Sequence, residues 1–261
     1  MYHSVYDLRA FYSGKIGRVV RRILKERIRE IWPDLKGLRV VGCGYAVPYL
    51  RTYKDEAERV FAIMPAGQGA HAWPYNSPPD IKNLVCVSEE AELPIETNSV
   101  DRVILIHSLE FSEHLKSSLQ EVWRILKSNG RLLVIVPNRS GLWVRTDWSP
   151  FGHGTPYTAS QIKNYLRDNQ FIYEQAAGAL FMPPLKYSVF LQSAGFFEKV
   201  GRRFFPFAAG VHIVEATKQL YARADTHSGS KIRVRGRGFA PQPVPQSVPR
   251  KQIKPVCVDL N

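Results

Sequence analysis

Two glycines, Gly42 and Gly44, follow a short apolar strand that begins at Leu38. Glycine lets the backbone turn tightly and lets a ligand approach the bare main chain. Tyr45 and the residues after it lead into a helix start, whose unpaired N–H groups carry a positive partial charge. This strand, turn and helix together predict a site for a nucleotide-type ligand. The alternative is a tight turn that binds nothing.

Two histidines are candidates for proton transfer. His107 ends an apolar strand, where it is either a polar group beside a ligand or a hydrogen-bonded structural residue. His153 stands between two glycines in a long loop, residues 137–158, and could serve as a general base. The alternative for this loop is a lid that three aromatic side chains hold on the core: Trp143, Trp148 and Phe151.

The elements that would position these residues alternate between strands and helices. Apolar runs predict seven strands, at 38–41, 59–64, 83–87, 100–107, 131–136, 171–181 and 210–218. Helical periodicity covers 5–32, with a break near Gly14 and Gly17, and then 48–52, 115–126, 158–169 and part of 183–205. Residues 127–130 read as a helix cap that ends in glycine. Such alternation predicts an α/β fold with a mostly parallel sheet.

Four ordered blocks after the glycines resemble one family. They are Glu89 to Pro94 (EEAELP), Asn98 to Val103 (NSVDRV), Ser108 to Phe111 (SLEF) and Glu121 to Gly130 (EVWRILKSNG). Over about residues 38–140 the chain resembles the class I S-adenosylmethionine-dependent methyltransferases, in particular the type 11 methyltransferase domain. The resemblance implies a Rossmann-like fold: seven strands, mostly parallel, with an antiparallel last strand and helices on both faces. It also implies S-adenosylmethionine as the cofactor.

The resemblance assigns roles by position. Gly42, Gly44 and Tyr45 would lie beside the amino-acid part of the cofactor, and Met64 beside its ribose or adenine. Glu89 and Glu90 would face the adenine. His107 and Ser108 would lie where the methyl group meets the acceptor. Three positions depart from the family pattern, because Val40 and Met64 replace acids and Ala46 replaces a third glycine. Groups from the loop 65–79 could compensate for the missing ribose-binding acid at Met64.

The net charge of +13 lies mainly at the two ends of the chain. Residues 1–39 carry +6 and residues 224–261 carry +5, which leaves +2 for the middle. We interpret the basic face of the first helices as a solvated surface rather than a nucleic-acid or membrane surface, because no aromatic-rich motif accompanies the charge. The expected domains are a helical region at 1–36, an α/β domain at 37–223 with a helical insertion at 183–205, and a disordered Pro- and Gly-rich tail at 224–261.

Three cysteines, Cys43, Cys86 and Cys257, argue against a disulfide framework and favour a reducing compartment. No apolar run is long enough to cross a bilayer, no signal peptide is evident and no Cys/His spacing indicates a metal site. We therefore expect a cytoplasmic protein without a membrane span.

The favoured function is methyl transfer to an unidentified acceptor, which we expect to be a small molecule. One alternative is a non-catalytic, methyltransferase-like binding protein. Another is an RNA methyltransferase or RNA-binding protein, which the basic ends favour but the lack of an Asn-Pro-Pro-Tyr-type motif after the fourth strand does not. The sequence leaves the oligomeric state open.

Overall fold

A seven-stranded sheet forms the centre of the computed structural model, which describes residues 4–75, 82–185 and 187–220. Its strands are β1 Arg39–Gly44, β2 Arg59–Pro65, β3 Val85–Ser88, β4 Val100–Ile106, β5 Leu126–Pro137, β6 Phe171–Ala179 and β7 Val211–Lys218. Their order is β3-β2-β1-β4-β5-β7-β6. The first five strands pair in parallel, and β7 is antiparallel to both β5 and β6. The predicted fold class is thus confirmed.

Helices cover both faces of this sheet. They are α1 Val5–Ser13, α2 Lys15–Ile31, α3 Val47–Leu50, α4 Leu115–Ile125, α5 Ala159–Asp168, α6 Ser188–Gln192 and α7 Ala194–Phe204. One hydrophobic core joins the sheet to α1, α2, α3 and α7, and a second core joins the opposite face to α4 and α5. Successive β1 residues, Val40 and Val41, belong to different cores, because neighbouring side chains of a strand point to opposite faces.

The N-terminal helices belong to the first of these cores. Ser4 and Asp7 form a capping box that starts α1, and Gly14 separates α1 from α2 as the predicted break requires. At the end of α2, the indole N–H of Trp32 donates to Glu215 on β7 at 2.8 Å. Arg131 and Gln175 also donate to this buried carboxylate, at 2.9 and 2.7 Å. Glu215 therefore connects the N-terminal helices to β7 and, through Arg131, to β5.

Several predicted boundaries were wrong. Strand β1 continues through Gly44 instead of ending before the glycines, and the helix after it ends at Leu50. Residues 127–130 are part of β5 rather than a helix cap, because Leu126 already pairs with Val100 across a register shift. Strand β6 ends at Ala179, since the next residue has a positive φ of 61°.

The family-like block 121–130 has a structural role at the start of β4. Arg124 donates to the carbonyl oxygens of Leu93 and Ile95, at 2.9 and 2.8 Å. Glu121 binds the same guanidinium and accepts the backbone N–H of Leu93 at 2.8 Å. These bonds fix the segment between β3 and β4 against α4.

Some expectations can be checked only where the structure is described. Within 4–75, 82–185 and 187–220, no helix is long and apolar enough to cross a membrane. The same residues contain no cluster of three or more His, Cys, Asp or Glu that could hold a metal ion. Cys43 and Cys86 are free thiols. The expected tail at 224–261, Cys257 and residues 76–79 of the loop after β2 lie outside the described residues.

The three bonds to Glu215 predict a large effect on stability. We expect Glu215→Ala to lower the free energy of unfolding by about 2–4 kcal/mol, because it leaves the Trp32 and Arg131 donors without their acceptor. Glu58→Ala is the matched control, since Glu58 forms an exposed ion pair with Arg39, and it should cost about 1 kcal/mol or less. Urea unfolding measures both. Equal effects would show that Glu215 does not hold the helices to the sheet.

Candidate functional site

An open cavity of about 290 Å³ lies at the carboxyl ends of β2 and β3. Its walls come from Pro65, Gln68, Glu89 and Glu90, and from the segment 111–114 that follows β4. In sheets with parallel strands, ligands bind at this edge, where loops leave the strands. The volume is at the lower end of the range for small-molecule sites, about 300–1,000 Å³.

Glu90 is the acidic group in the inner wall of this cavity. The hydroxyl of Ser108, which follows β4, donates to Glu90 Oε1 at 2.9 Å. Burial raises the pKa of Glu90, and hydrogen bonds from Ser112 and Ser108 only partly oppose that rise. The pKa therefore stays above its ordinary value. Glu89, the neighbouring carboxylate in the wall, is exposed.

The two glycines of the turn serve close packing of the chain. Gly44 has a φ of 78°, and a Cβ there would collide with the carbonyl oxygen of Ile106. The next residue, Tyr45, donates its backbone N–H to the same oxygen at 2.9 Å. A Cβ at Gly42 would collide with Ala46. The space enclosed beside Gly44 is only about 10 Å³, which holds no ligand larger than water.

Helix α1 places a tyrosine over this turn. The ring of Tyr12 stacks on Tyr45, with centroids 5.6 Å apart. The hydroxyl of Tyr49, on α3, donates to the Tyr12 hydroxyl at 3.0 Å, and the Tyr12 hydroxyl lies 2.8 Å from Nε2 of His107. Burial raises the pKa of Tyr12 well above its ordinary value and that of Tyr45 to about 12. Both phenols are therefore protonated at neutral pH.

His107 and Glu110 form a buried pair behind Tyr12. His107 directly follows β4 with a φ of 53°, and Gln68 donates to its carbonyl oxygen at 3.1 Å. Its Nδ1 lies 3.3 Å from Glu110 Oε1, although the angle does not make a hydrogen bond. Neither oxygen of the Glu110 carboxylate has a hydrogen-bond partner within the described part of the chain. A buried carboxylate without such partners is costly to hold.

The structure brings most of the predicted site residues into two adjacent groups. Glu89, Glu90 and Ser108 lie around the cavity, or bond to its wall. The second group is the glycine turn, which adjoins His107. It contains the three residues that we predicted to bind the amino-acid part of the cofactor: Gly42, Gly44 and Tyr45.

Two predicted residues lie apart from these groups. Met64 is 1% exposed and packs in the first hydrophobic core rather than in the cavity wall. His153 follows the short 3-10 helix Pro150–Gly152, and its Nε2 lies 2.7 Å from the carbonyl oxygen of Asp147. Neither residue lines the cavity described above.

Sequence reasoning missed three members of the site: Tyr12, Gln68 and Glu110. Tyr12 fits the apolar periodicity of α1, so its hydroxyl gave no separate signal. Glu110 stands between Leu109 and Phe111, and an acid between two apolar residues after a buried strand is the signal that could have found it. Gln68 had no such signal.

Comparison with known families and structures agrees with this architecture. Residues 40–134 match the sequence model of a family described as a methyltransferase domain, Methyltransf_11. No curated protein matches the chain. The matched residues run from β1 into β5 and therefore include the cavity wall, the glycine turn and the pair behind it.

Solved structures of similar fold carry related descriptions. A SAM-dependent methyltransferase from Archaeoglobus fulgidus is 18% identical, with a TM-score of 0.54 over 76% of this chain and 94% of that chain. One from Thermotoga maritima, described as a possible histamine N-methyltransferase, is 14% identical, with a TM-score of 0.56 over 82% and 96%. One from Mesorhizobium loti is 15% identical, with a TM-score of 0.54 over 74% and 96%.

These structural similarities establish the fold, and the family match identifies the part of the chain that carries it. Residues 40–134 match the type 11 methyltransferase-domain family model, and the chain has the fold of the class I S-adenosylmethionine-dependent methyltransferases.

Proposed function

We propose that the chain is a S-adenosylmethionine-dependent methyltransferase that acts on a small-molecule acceptor in the cytoplasm. The observation that carries this proposal is the cavity at the carboxyl ends of β2 and β3, which lies inside the methyltransferase domain and has two carboxylates in its wall. A small acceptor is favoured over nucleic acid because no Asn-Pro-Pro-Tyr-type motif follows the fourth strand.

The adenine half of the cofactor fits the cavity chemically. The exocyclic amine of adenine is a hydrogen-bond donor, and Glu89 and Glu90 offer carboxylate acceptors in the cavity wall. Ser108 already orients the Glu90 carboxylate through its hydroxyl. The buried side chain of Met64 supplies no acceptor for a ribose hydroxyl. The side-chain amide of Gln68, which also lines the cavity, could accept a hydrogen bond from a ribose hydroxyl instead.

The amino-acid half requires the chain to open. The place expected for it lies beside Gly42 and Gly44, where the rings of Tyr12 and Tyr45 stack over the turn. Helix α1 contributes Tyr12, so an outward movement of α1 would free both this space and His107. We infer that the structure represents the closed form of the site.

His107 is the group we assign to proton transfer. When bound, S-adenosylmethionine supplies an electrophilic methyl group, and an acceptor hydroxyl that attacks it must lose a proton. Withdrawal of Tyr12 would leave Nε2 of His107 free to take that proton. The Glu110 carboxylate, 3.3 Å from Nδ1, would then stabilise the imidazolium cation. His153 stays a second candidate base, although its Nε2 lies against the Asp147 carbonyl oxygen.

Cofactor binding is the direct test. We expect calorimetric titration with S-adenosylhomocysteine to show binding, and Glu89→Ala to weaken it by about 10- to 100-fold, the worth of one charge-assisted hydrogen bond. Glu92→Ala is the matched control, because Glu92 is an exposed acid in the same segment that does not line the cavity. No binding by the unaltered protein at millimolar ligand would contradict the proposal and favour a non-catalytic domain.

The closed form can be tested through the Tyr12 hydroxyl. Tyr12→Phe removes the bonds to His107 and Tyr49, each worth about 1 kcal/mol, and should favour the open form. Because apparent affinity rises with the fraction of competent protein, the loss of both bonds should make S-adenosylhomocysteine bind up to about 30-fold more tightly. Tyr6→Phe, on the exposed side of α1, should change nothing. Weaker binding by Tyr12→Phe would show that this hydroxyl contacts the ligand instead of closing the site.

Glu90 should reduce the stability of the protein at neutral pH. The pKa of Glu90 is higher in the folded protein than in the unfolded chain. Such a carboxyl group favours folding at a pH below the pKa that it has in the unfolded chain, where it is protonated in both states. This contribution is lost as the pH rises through the pKa that the group has in the folded protein. We therefore expect Glu90→Gln to raise the melting temperature at pH 7, where unaltered Glu90 must ionise. The gain should vanish near pH 4. A loss of stability at pH 7 would mean that the Ser108 and Ser112 bonds outweigh the burial.

A further inference from the structure

An exposed apolar run marks the end of α7. Phe204, Phe205 and Phe207 are 67%, 50% and 70% exposed, and the rings of Phe205 and Phe207 lie 6.2 Å apart. Phe196, at the other end of the same helix, is 66% exposed. Single exposed apolar residues are ordinary, but a cluster of large ones indicates a surface that contacts another apolar phase.

Basic side chains are exposed on α7 itself and on the neighbouring helix α2. Lys15, Arg18, Arg22 and Lys25 are exposed at spacings that place them along one side of α2. Helix α7 adds three more exposed cations: Lys199, Arg202 and Arg203. Residues of both helices line one groove of about 720 Å³, so the two basic sets are neighbours in space.

Most of this positive charge is not neutralised by nearby acids. Glu30 forms ion pairs with Arg27 and Arg202, and Glu198 accepts the backbone N–H of Phe181 at 2.6 Å. Across the described residues, Lys15, Arg18, Arg22, Lys199 and Arg203 form no ion pair with an acidic side chain. The face of α2 and α7 therefore combines unpaired cations with exposed phenylalanines.

We propose that this face, which we define as the exposed residues of α2, α7 and Phe205 to Phe207, binds the surface of an anionic phospholipid membrane. The phenylalanine rings would enter the boundary between headgroups and acyl chains, and the arginines and lysines would contact lipid phosphates. Charge complementarity with anionic headgroups selects this partner. The face lies on the protein surface, which agrees with the lack of a membrane-spanning helix among the described residues.

The shape of the face favours a bilayer over RNA or a protein groove. In RNA-binding proteins, the aromatic rings that stack on bases lie along a basic groove. In protein–protein interfaces, the aromatic side chains that contribute most to affinity fill pockets in the partner. Phe204, Phe205 and Phe207 line neither the groove between α2 and α7 nor the smaller one beside it. They project from the end of a helix instead. A fluid bilayer accepts such a projection without a matching pocket.

The phenylalanine run is firmly attached to the body of the protein. The side-chain amide of Asn138, directly after β5, donates to the carbonyl oxygens of Phe207 and Ala209, at 3.1 and 2.7 Å. The run is thus fixed beside the same edge of the sheet as the candidate site. The membrane proposal rests on this surface alone and does not depend on methyl transfer.

Vesicle sedimentation of the full chain tests the proposal. We expect binding to phosphatidylcholine vesicles that contain phosphatidylglycerol, and little binding to phosphatidylcholine alone. The triple variant Phe204→Ser, Phe205→Ser, Phe207→Ser should weaken binding by more than about tenfold, since each buried CH₂ group contributes. The double variant Arg18→Gln, Arg22→Gln should also weaken it by about tenfold or more, because each cation near the surface contributes about fivefold.

A matched control lies on the opposite side of the sheet. Lys116 on α4 is exposed, and Tyr165 on α5 is 42% exposed. The double variant Lys116→Gln, Tyr165→Ser removes one cation and one aromatic ring there and should bind vesicles like the unaltered chain.

Three results would overturn the proposal. Equal vesicle binding by all variants would assign the binding to other cations, such as those of residues 224–261. No preference for phosphatidylglycerol would exclude an anionic surface as the partner. The third result is that the chain binds no vesicles but binds single-stranded RNA in a salt-sensitive way, and that the Arg18→Gln, Arg22→Gln variant loses this RNA binding. That result would assign the face to nucleic acid instead.

Discussion

The contact between Tyr12 and His107 determines the form of the candidate site. It joins the first helix of the chain to the residue that directly follows β4, 95 positions later. Tyr49 donates to the same hydroxyl from α3, so three elements meet at one buried polar point. A buried hydroxyl needs its partners, and these partners keep α1 over the glycine turn. The proposed closed form of the glycine turn depends on this contact.

The buried carboxylates of this protein differ in how well hydrogen-bond donors satisfy them. Burial would raise the pKa of Glu215, but bonds from Gln175, Arg131 and Trp32 hold that pKa below its ordinary value. Glu90 has weaker support, and its pKa is raised. The carboxylate of Glu110 has no hydrogen bond among the described residues. Glu90 and Glu110 both lie at the candidate site, where function competes with stability. Glu198 on α7, whose pKa burial also raises, lies away from that site and accepts the backbone N–H of Phe181.

Sequence reasoning predicted the sheet better than it predicted the site. Apolar runs bounded by turns located all seven strands, because a strand buried on both faces is apolar throughout. The boundaries failed where backbone geometry decided them, as at Leu180, whose positive φ ends β6. The family-like block at 121–130 led to the right fold, yet Glu121 and Arg124 hold a loop in place and carry no chemistry. The motif was informative because it is structural.

The parts of the site that sequence reasoning missed depend on contacts between distant residues. Tyr12 has the periodicity of a core residue, and only the fold shows that its hydroxyl reaches His107. The same limit applies to the basic face of α2. No aromatic residues accompany its charges along the chain, so the sequence favoured a solvated helix. Helix α7, which shares a groove with α2, carries the exposed aromatic side chains Phe196 and Phe204. A sequence motif search looks for neighbours along the chain, whereas a binding surface is made of neighbours in space.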